Sequence, residues 1–152
     1  EKLLKQYDVI LPKQRNYFIE TVRSQYEHAH NKNDLALTEQ IVAELYPEYS
    51  EAFCKVMGGT KLHIFNMFVM KKEKFDEYCQ WLFTILFELE KRIDISSYSQ
   101  YEARVFGFLS ERLLNVWLEK QKLKVKGIDV VFLEKIDWFD KGMKFLKRKF
   151  RG

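Results

Sequence analysis

A chain of 152 residues with 47 % apolar and 32 % charged side chains suits one globular domain built on a single sizeable core. Two prolines and six glycines argue against a loop-rich or all-β fold. The net charge of +4 is gathered mainly in Lys141, Lys144, Lys147, Arg148, Lys149 and Arg151, which leaves the body of the chain near neutral and excludes a general nucleic-acid footprint. Aromatic residues at 16 % are dense enough to imply a large aromatic core or an exposed binding surface. Cys54 and Cys79 are far apart and match neither a disulfide framework nor a zinc spacing, so a reducing cytoplasm is the expected setting. No apolar run has the length of a membrane span.

In chain order, Lys2 to Gln6 reads as the tail of a helix; with Glu1 in place of a methionine, this suggests a piece of something longer. Tyr7 to Pro12 is a short apolar run closed by proline, expected as a buried strand. Lys13 to Asn16 is a polar loop. Tyr17 to His28 is expected as a helix with Phe18, Val22 and Tyr26 inward. Asp34 offers an N-cap to a helix over Leu35 to Leu45, and Pro47 opens another that Gly58 and Gly59 end. Leu62 to Met70 reads as a buried strand feeding a long central helix from Lys71 to about Ile93. The stripe Phe75, Cys79, Leu82, Leu86, Leu89 and Ile93 would face the core. Gln100 to Lys120 is helical with Val105, Leu109, Leu113, Val116 and Trp117 inward, unless Ser110 and Glu111 restart it. Val130 to Leu133 is a strand candidate, and residues 137–152 form a basic amphipathic terminal helix. The expected fold class is α+β, mainly helical, with about three short strands in one sheet.

Few of these elements carry chemistry. A phosphate-binding glycine loop, a nucleophile elbow, a zinc helix motif and an Asp-x-Asp metal pair are all missing from the sequence. His28 and His30 are spaced like a weak ligand pair but lack an obvious carboxylate between them, and solvated loop histidines are commoner. His63 stands inside an apolar run, either as a core histidine with one satisfied nitrogen or as a substrate or metal contact. Asn66, three residues on, would orient a polyhydroxylated ligand or pin a neighbouring backbone. In Arg104 to Arg112, Gly107 allows close backbone approach. There Glu111 is a candidate general base or hydroxyl acceptor, and Arg104 and Arg112 could meet a phosphate or form an ordinary surface ion pair. The basic tail suits either a docked terminal helix or peripheral contact with an anionic membrane.

The blocks D-V-I-L-P-K-Q-R-N-Y, H-I-F-N-M-F-V-M-K-K-E-K-F-D-E-Y-C-Q-W-L-F and R-V-F-G-F-L-S-E-R-L-L-N-V-W-L resemble bacterial capsular-polysaccharide biosynthesis proteins. These are glycosyltransferase-like proteins grouped as domain of unknown function 4422. The resemblance implies the C-terminal half of a GT-A-type transferase, a Rossmann-like sheet with an acceptor side. Its nucleotide-sugar, and any divalent metal, would bind in a half without counterpart here, so the chain would be inactive alone. Phe65 to Met70 resembles an F-N-x-G strand bordering the sugar site, though Met67 and Phe68 depart from that pattern. On this reading His63 and Asn66 line the sugar pocket, Glu111 serves as base or acceptor contact, and Arg104 and Arg112 face phosphate or the Glu111 carboxylate. The rival is a non-catalytic helical module that binds a partner or membrane through its aromatic surface and basic tail.

Overall fold

A computed structural model describes residues 2–131. The expected basic helix over 137–152 and half of the expected Val130 to Leu133 strand lie outside the described residues; Val130 and Val131 are not in a strand. Among the described residues, five α-helices and five short strands follow in the order β1 (Val9–Pro12), β2 (Arg15–Asn16), α1 (Val22–Ala29), α2 (Lys32–Leu45), α3 (Ser50–Gly58), β3 (Lys61–Leu62), β4 (Val69–Met70), α4 (Lys72–Arg92), α5 (Val105–Gln121) and β5 (Val125–Ile128). The class is α+β and mainly helical. The sheet is divided, however. β1 lies between antiparallel β4 and parallel β5, while β2 and β3 form a separate antiparallel ribbon. Asp8 fastens the first of these, its carboxylate taking the Lys124 N–H at 3.0 Å and the Lys71 ammonium at 3.1 Å. Those two donors, the Lys124 amide first, hold the Asp8 carboxyl below its ordinary range.

Local chemistry explains the helix starts. Thr21 and Ser24 exchange side-chain and backbone hydrogen bonds at 3.0 Å, a reciprocal cap that opens α1. That start lies five residues later than the sequence suggests. Phe18 therefore sits outside the helix, 80 % exposed and in the left-handed region at φ 59°. Asn31, not Asp34, caps α2. Asp34 lies one turn inside, buried, and takes the Tyr98 hydroxyl at 2.6 Å.

The core runs continuously from β1 through Leu35, Ile41, Phe53, Met57, Ile85, Leu89, Leu113 and Trp117. α5 is its axis: Val105, Leu109, Leu113, Val116 and Trp117 are all buried, as the spacing predicts. It runs unbroken past Ser110, whose hydroxyl donates to the Phe106 carbonyl instead of capping a new helix. α4 is rotated relative to expectation. It buries Tyr78, Trp81, Leu82, Ile85 and Leu89, while Phe75 is largely exposed. β5 also falls earlier than expected, at Val125 to Ile128, because the parallel register with β1 pairs Val9 with Val125 and Pro12 with Ile128.

Candidate functional site

The expected strand from Leu62 to Met70 does not exist as one element. Pairing stops at Leu62 and resumes at Val69, and the intervening loop is held against α5 by polar side chains. Asn115 does most of this. Its amide oxygen accepts the His63 N–H at 2.9 Å, and its amide nitrogen donates to the His63 carbonyl at 2.9 Å and the Glu111 carbonyl at 2.7 Å. A side-chain amide thus replaces a neighbouring strand, which meets the demand of buried backbone groups for partners. One turn back, Glu111 accepts the Phe65 N–H at 3.2 Å, where Phe65 occupies the left-handed region at φ 73°. A further turn back, the Gly107 carbonyl accepts from the Asn66 side chain at 3.1 Å. Gly107 is not there for steric clearance, since a Cβ added to it would meet nothing within 4 Å.

The five residues singled out from the sequence fall into three settings. His63 is buried, with Nδ1 2.6 Å from the Pro12 carbonyl. A carbonyl only accepts, so Nδ1 carries the proton and Nε2 is left as an acceptor without a partner among the described residues. Burial lowers the His63 pKa, outweighing the Pro12 bond, so the ring is neutral at pH 7. Asn66, Glu111 and Arg112 form the second setting. The Glu111 carboxylate meets the Arg112 guanidinium at 3.2 Å, and Arg112 is buried with further bonds to the Phe108 carbonyl and the Gln25 amide, both at 2.8 Å. Its guanidinium also lies over the Tyr26 ring at 5.0 Å. Arg104 is elsewhere, exposed over the Phe108 ring at 5.2 Å, and makes no ion pair with Glu111 among the described residues.

His28 and His30 do not converge. The first bonds Glu20 at 2.9 Å, whereas the second is stacked on Phe108 at 4.1 Å between ring centroids. Among the described residues, no cluster of three or more His, Cys, Asp or Glu could hold a metal ion.

His63 and Asn115 also line an open cleft of about 510 Å³ between the β2–β3 ribbon, the end of α3 and the last turns of α5. Thr60 and Gln14 add hydroxyl and amide groups, and Lys55, Lys61 and Lys122 supply positive charge. Lys55 is neutralised by Glu119, while Lys61 and Lys122 form no ion pair among the described residues. Two participants escaped sequence reading. Asn115 has a signal, a lone amide within Leu114 to Leu118, an otherwise apolar stretch of α5. Tyr17 has none: its position beside Arg15, Arg112 and Glu111 depends on the β2–β3 ribbon. Burial raises its pKa, with the two arginines opposing.

The fold has a counterpart among solved structures. The chain is similar to the apo structure of the bifunctional glycosyltransferase WbbM, with 33 % identity and a TM-score of 0.83 over 88 % of its length. It spans 25 % of that chain. Curated proteins yielded no match. The sequence profile of the domain of unknown function DUF4422 matches residues 1–122, and the chain belongs to that family.

Proposed function

We propose that this chain forms the acceptor-side, C-terminal part of a glycosyltransferase that moves sugar from a nucleotide-sugar donor onto a glycan in capsular or other surface-polysaccharide assembly. The observation that carries the reading is the 33 % identity and 0.83 TM-score shared with part of a bifunctional glycosyltransferase. The cleft has suitable chemistry. His63 Nε2 accepts from a sugar hydroxyl, Asn66 borders the same loop, and Lys61 and Lys122 attract phosphate oxygens.

Glu111 works as a hydroxyl acceptor or base. The Phe65 N–H and the Arg112 guanidinium each engage one of its oxygens and fix the carboxylate's orientation. Arg112 then faces this carboxylate, which leaves exposed Arg104 as the phosphate contact. In this reading the nucleotide and any divalent metal bind a portion of the enzyme outside this chain. The protein works at the cytoplasmic membrane face, where residues 137–152 rest on anionic lipid.

The test is nucleotide-sugar hydrolysis and transfer by the full-length transferase with His63→Ala and Glu111→Gln. Each variant is expected to lose at least about tenfold in turnover while the fold is kept, since glutamine still accepts the Phe65 N–H. Unchanged turnover in both removes the site assignment. For the membrane contact, liposome co-sedimentation should fall on truncation after Lys135.

A further inference from the structure

α4 turns a second apolar stripe away from the core. On its outer side Phe75, Phe83 and Phe87 are 43 %, 47 % and 59 % exposed, and the rings of Phe83 and Phe87 stack with centroids 5.8 Å apart. Half-buried Cys79 and Leu86 lie at the boundary between this stripe and the core, against which both pack. Lys72, Asp76, Cys79, Phe83, Leu86 and Glu90 follow one another in alternating steps of four and three. That spacing keeps a seam on one side of a helix about 31 Å long. A helix face that is simply solvated has no need of stacked phenylalanines.

The order of residues along the stripe indicates its occupant. Lys72 and Glu90 lie equally far from Trp81 in opposite directions, and so do Phe75 and Phe87, Asp76 and Leu86, and Cys79 and Phe83. A second α4 laid antiparallel about a two-fold axis at the level of Trp81 would therefore set each Lys72 against a Glu90. It would also set each Cys79 against a Phe83. Ion pairs would then close both ends of the contact, around a central Cys79 and Phe83. A parallel pair would instead oppose Lys72 with Lys72 and Glu90 with Glu90. Glu90 has no ion-pair partner among the described residues, and the exposed Lys72–Asp76 contact at 2.6 Å is of a kind readily exchanged.

We propose that the outer face of α4 is an isologous interface through which two copies of this chain associate antiparallel. Sedimentation equilibrium of the 152-residue chain should show a reversible dimer. Phe83→Asp should weaken association by roughly a hundredfold, as expected for an aromatic at the centre of an interface, with circular dichroism and melting unchanged. Lys72→Glu and Glu90→Lys should each weaken it about tenfold, yet an equal mixture of the two should recover, because each supplies the charge the other lacks. Four results would overturn the proposal. They are a monomer at every concentration, a dimer that survives Phe83→Asp, a mixture no tighter than its parts, and a monomer that dimerises only after removal of residues 132–152. The last would assign the face to that segment.

Discussion

Two polar networks meet α5 on adjoining flanks, joined by the Glu111–Arg112 contact at 3.2 Å, and they differ in how completely they are satisfied. Toward the 63–68 loop, the side chains of Asn115 and Glu111 and the carbonyl of Gly107 receive or supply hydrogen bonds that fix a backbone path. Toward α1, Arg112 spreads over Tyr26 beside His30, and there the Tyr26 hydroxyl, His30 Nδ1 and Arg112 Nε are buried without a partner among the described residues. The first network specifies geometry, because each lost partner would strand a backbone group in a dry setting. The second fixes a cation on an aromatic surface and leaves loose polar ends, which makes it the part most exposed to a change of protonation.

The largest effect is expected from breaking the first network at its centre. Asn115→Leu fills similar volume but leaves both the N–H and the carbonyl of His63 unpaired, at a cost of about 3 kcal/mol. Urea denaturation reads this as a lower midpoint with an unchanged slope. If the midpoint does not move, the loop is held by something other than Asn115.

The second network should answer to pH. Burial, with the Arg112 charge in support, holds the His30 imidazole down to about 4, and burial lowers His63 as well. Both groups bind a proton more readily when unfolded. Their contribution is therefore intact above the unfolded pKa of about 6.5 and is lost as pH falls below it, for His30 toward about 4. For His30, discounted for its partial exposure, the loss is on the order of 2 kcal/mol. Asp34, whose pKa burial raises, acts in the opposite sense but only near and just above its ordinary value. Melting temperature measured from pH 7.5 to 4.5 should fall, and His30→Phe should flatten that fall while keeping the ring stack. A smaller effect of opposite sign is expected at the far end of the first network. The Gly107 carbonyl, not its missing side chain, serves Asn66, so Gly107→Ala should raise stability by roughly 0.5–1 kcal/mol. Destabilisation would mean that the glycine is needed for close approach after all.

The same contrast explains what could be read from the sequence. The inward face of α5 was legible because its apolar residues obey one period and no rival stripe exists. α4 carries two such stripes, and spacing alone cannot say which meets the core; Tyr78, Trp81 and Ile85 do, because α2 and α5 lie on their side. The run from Leu62 to Met70 has the composition of a strand, but its partners are side chains about fifty residues later, which no local pattern reports. Asp34 has the chemistry of a cap, yet Asn31 opens the helix one turn earlier and releases Asp34 to hold Tyr98. Of the site, Glu111 and Arg112 were readable as a charged pair. The burial of Arg112 against Tyr26 and Gln25 was not, since it depends on where α1 docks.

The smallest expected effect separates the two networks most cleanly. The Tyr26 ring is fully buried, supports the Arg112 guanidinium at 5.0 Å, and stacks near His30 at 4.8 Å. Its hydroxyl makes no hydrogen bond among the described residues, and burial, with Asp34 nearby, raises its pKa far above the ordinary value. Tyr26→Phe keeps the ring and its cation contact while removing an unpaired polar group, so stability should change by less than about 0.5 kcal/mol, in the stabilising direction. Removing a hydroxyl that does have a partner, with Tyr98→Phe, strands Asp34 and should cost about 1–2 kcal/mol. Comparable losses in the two variants would mean that the Tyr26 hydroxyl is as fully bonded as that of Tyr98, through a bridging water. No loss at Tyr26 beside a clear loss at Tyr98 would show that the Tyr26 hydroxyl is a loose polar end.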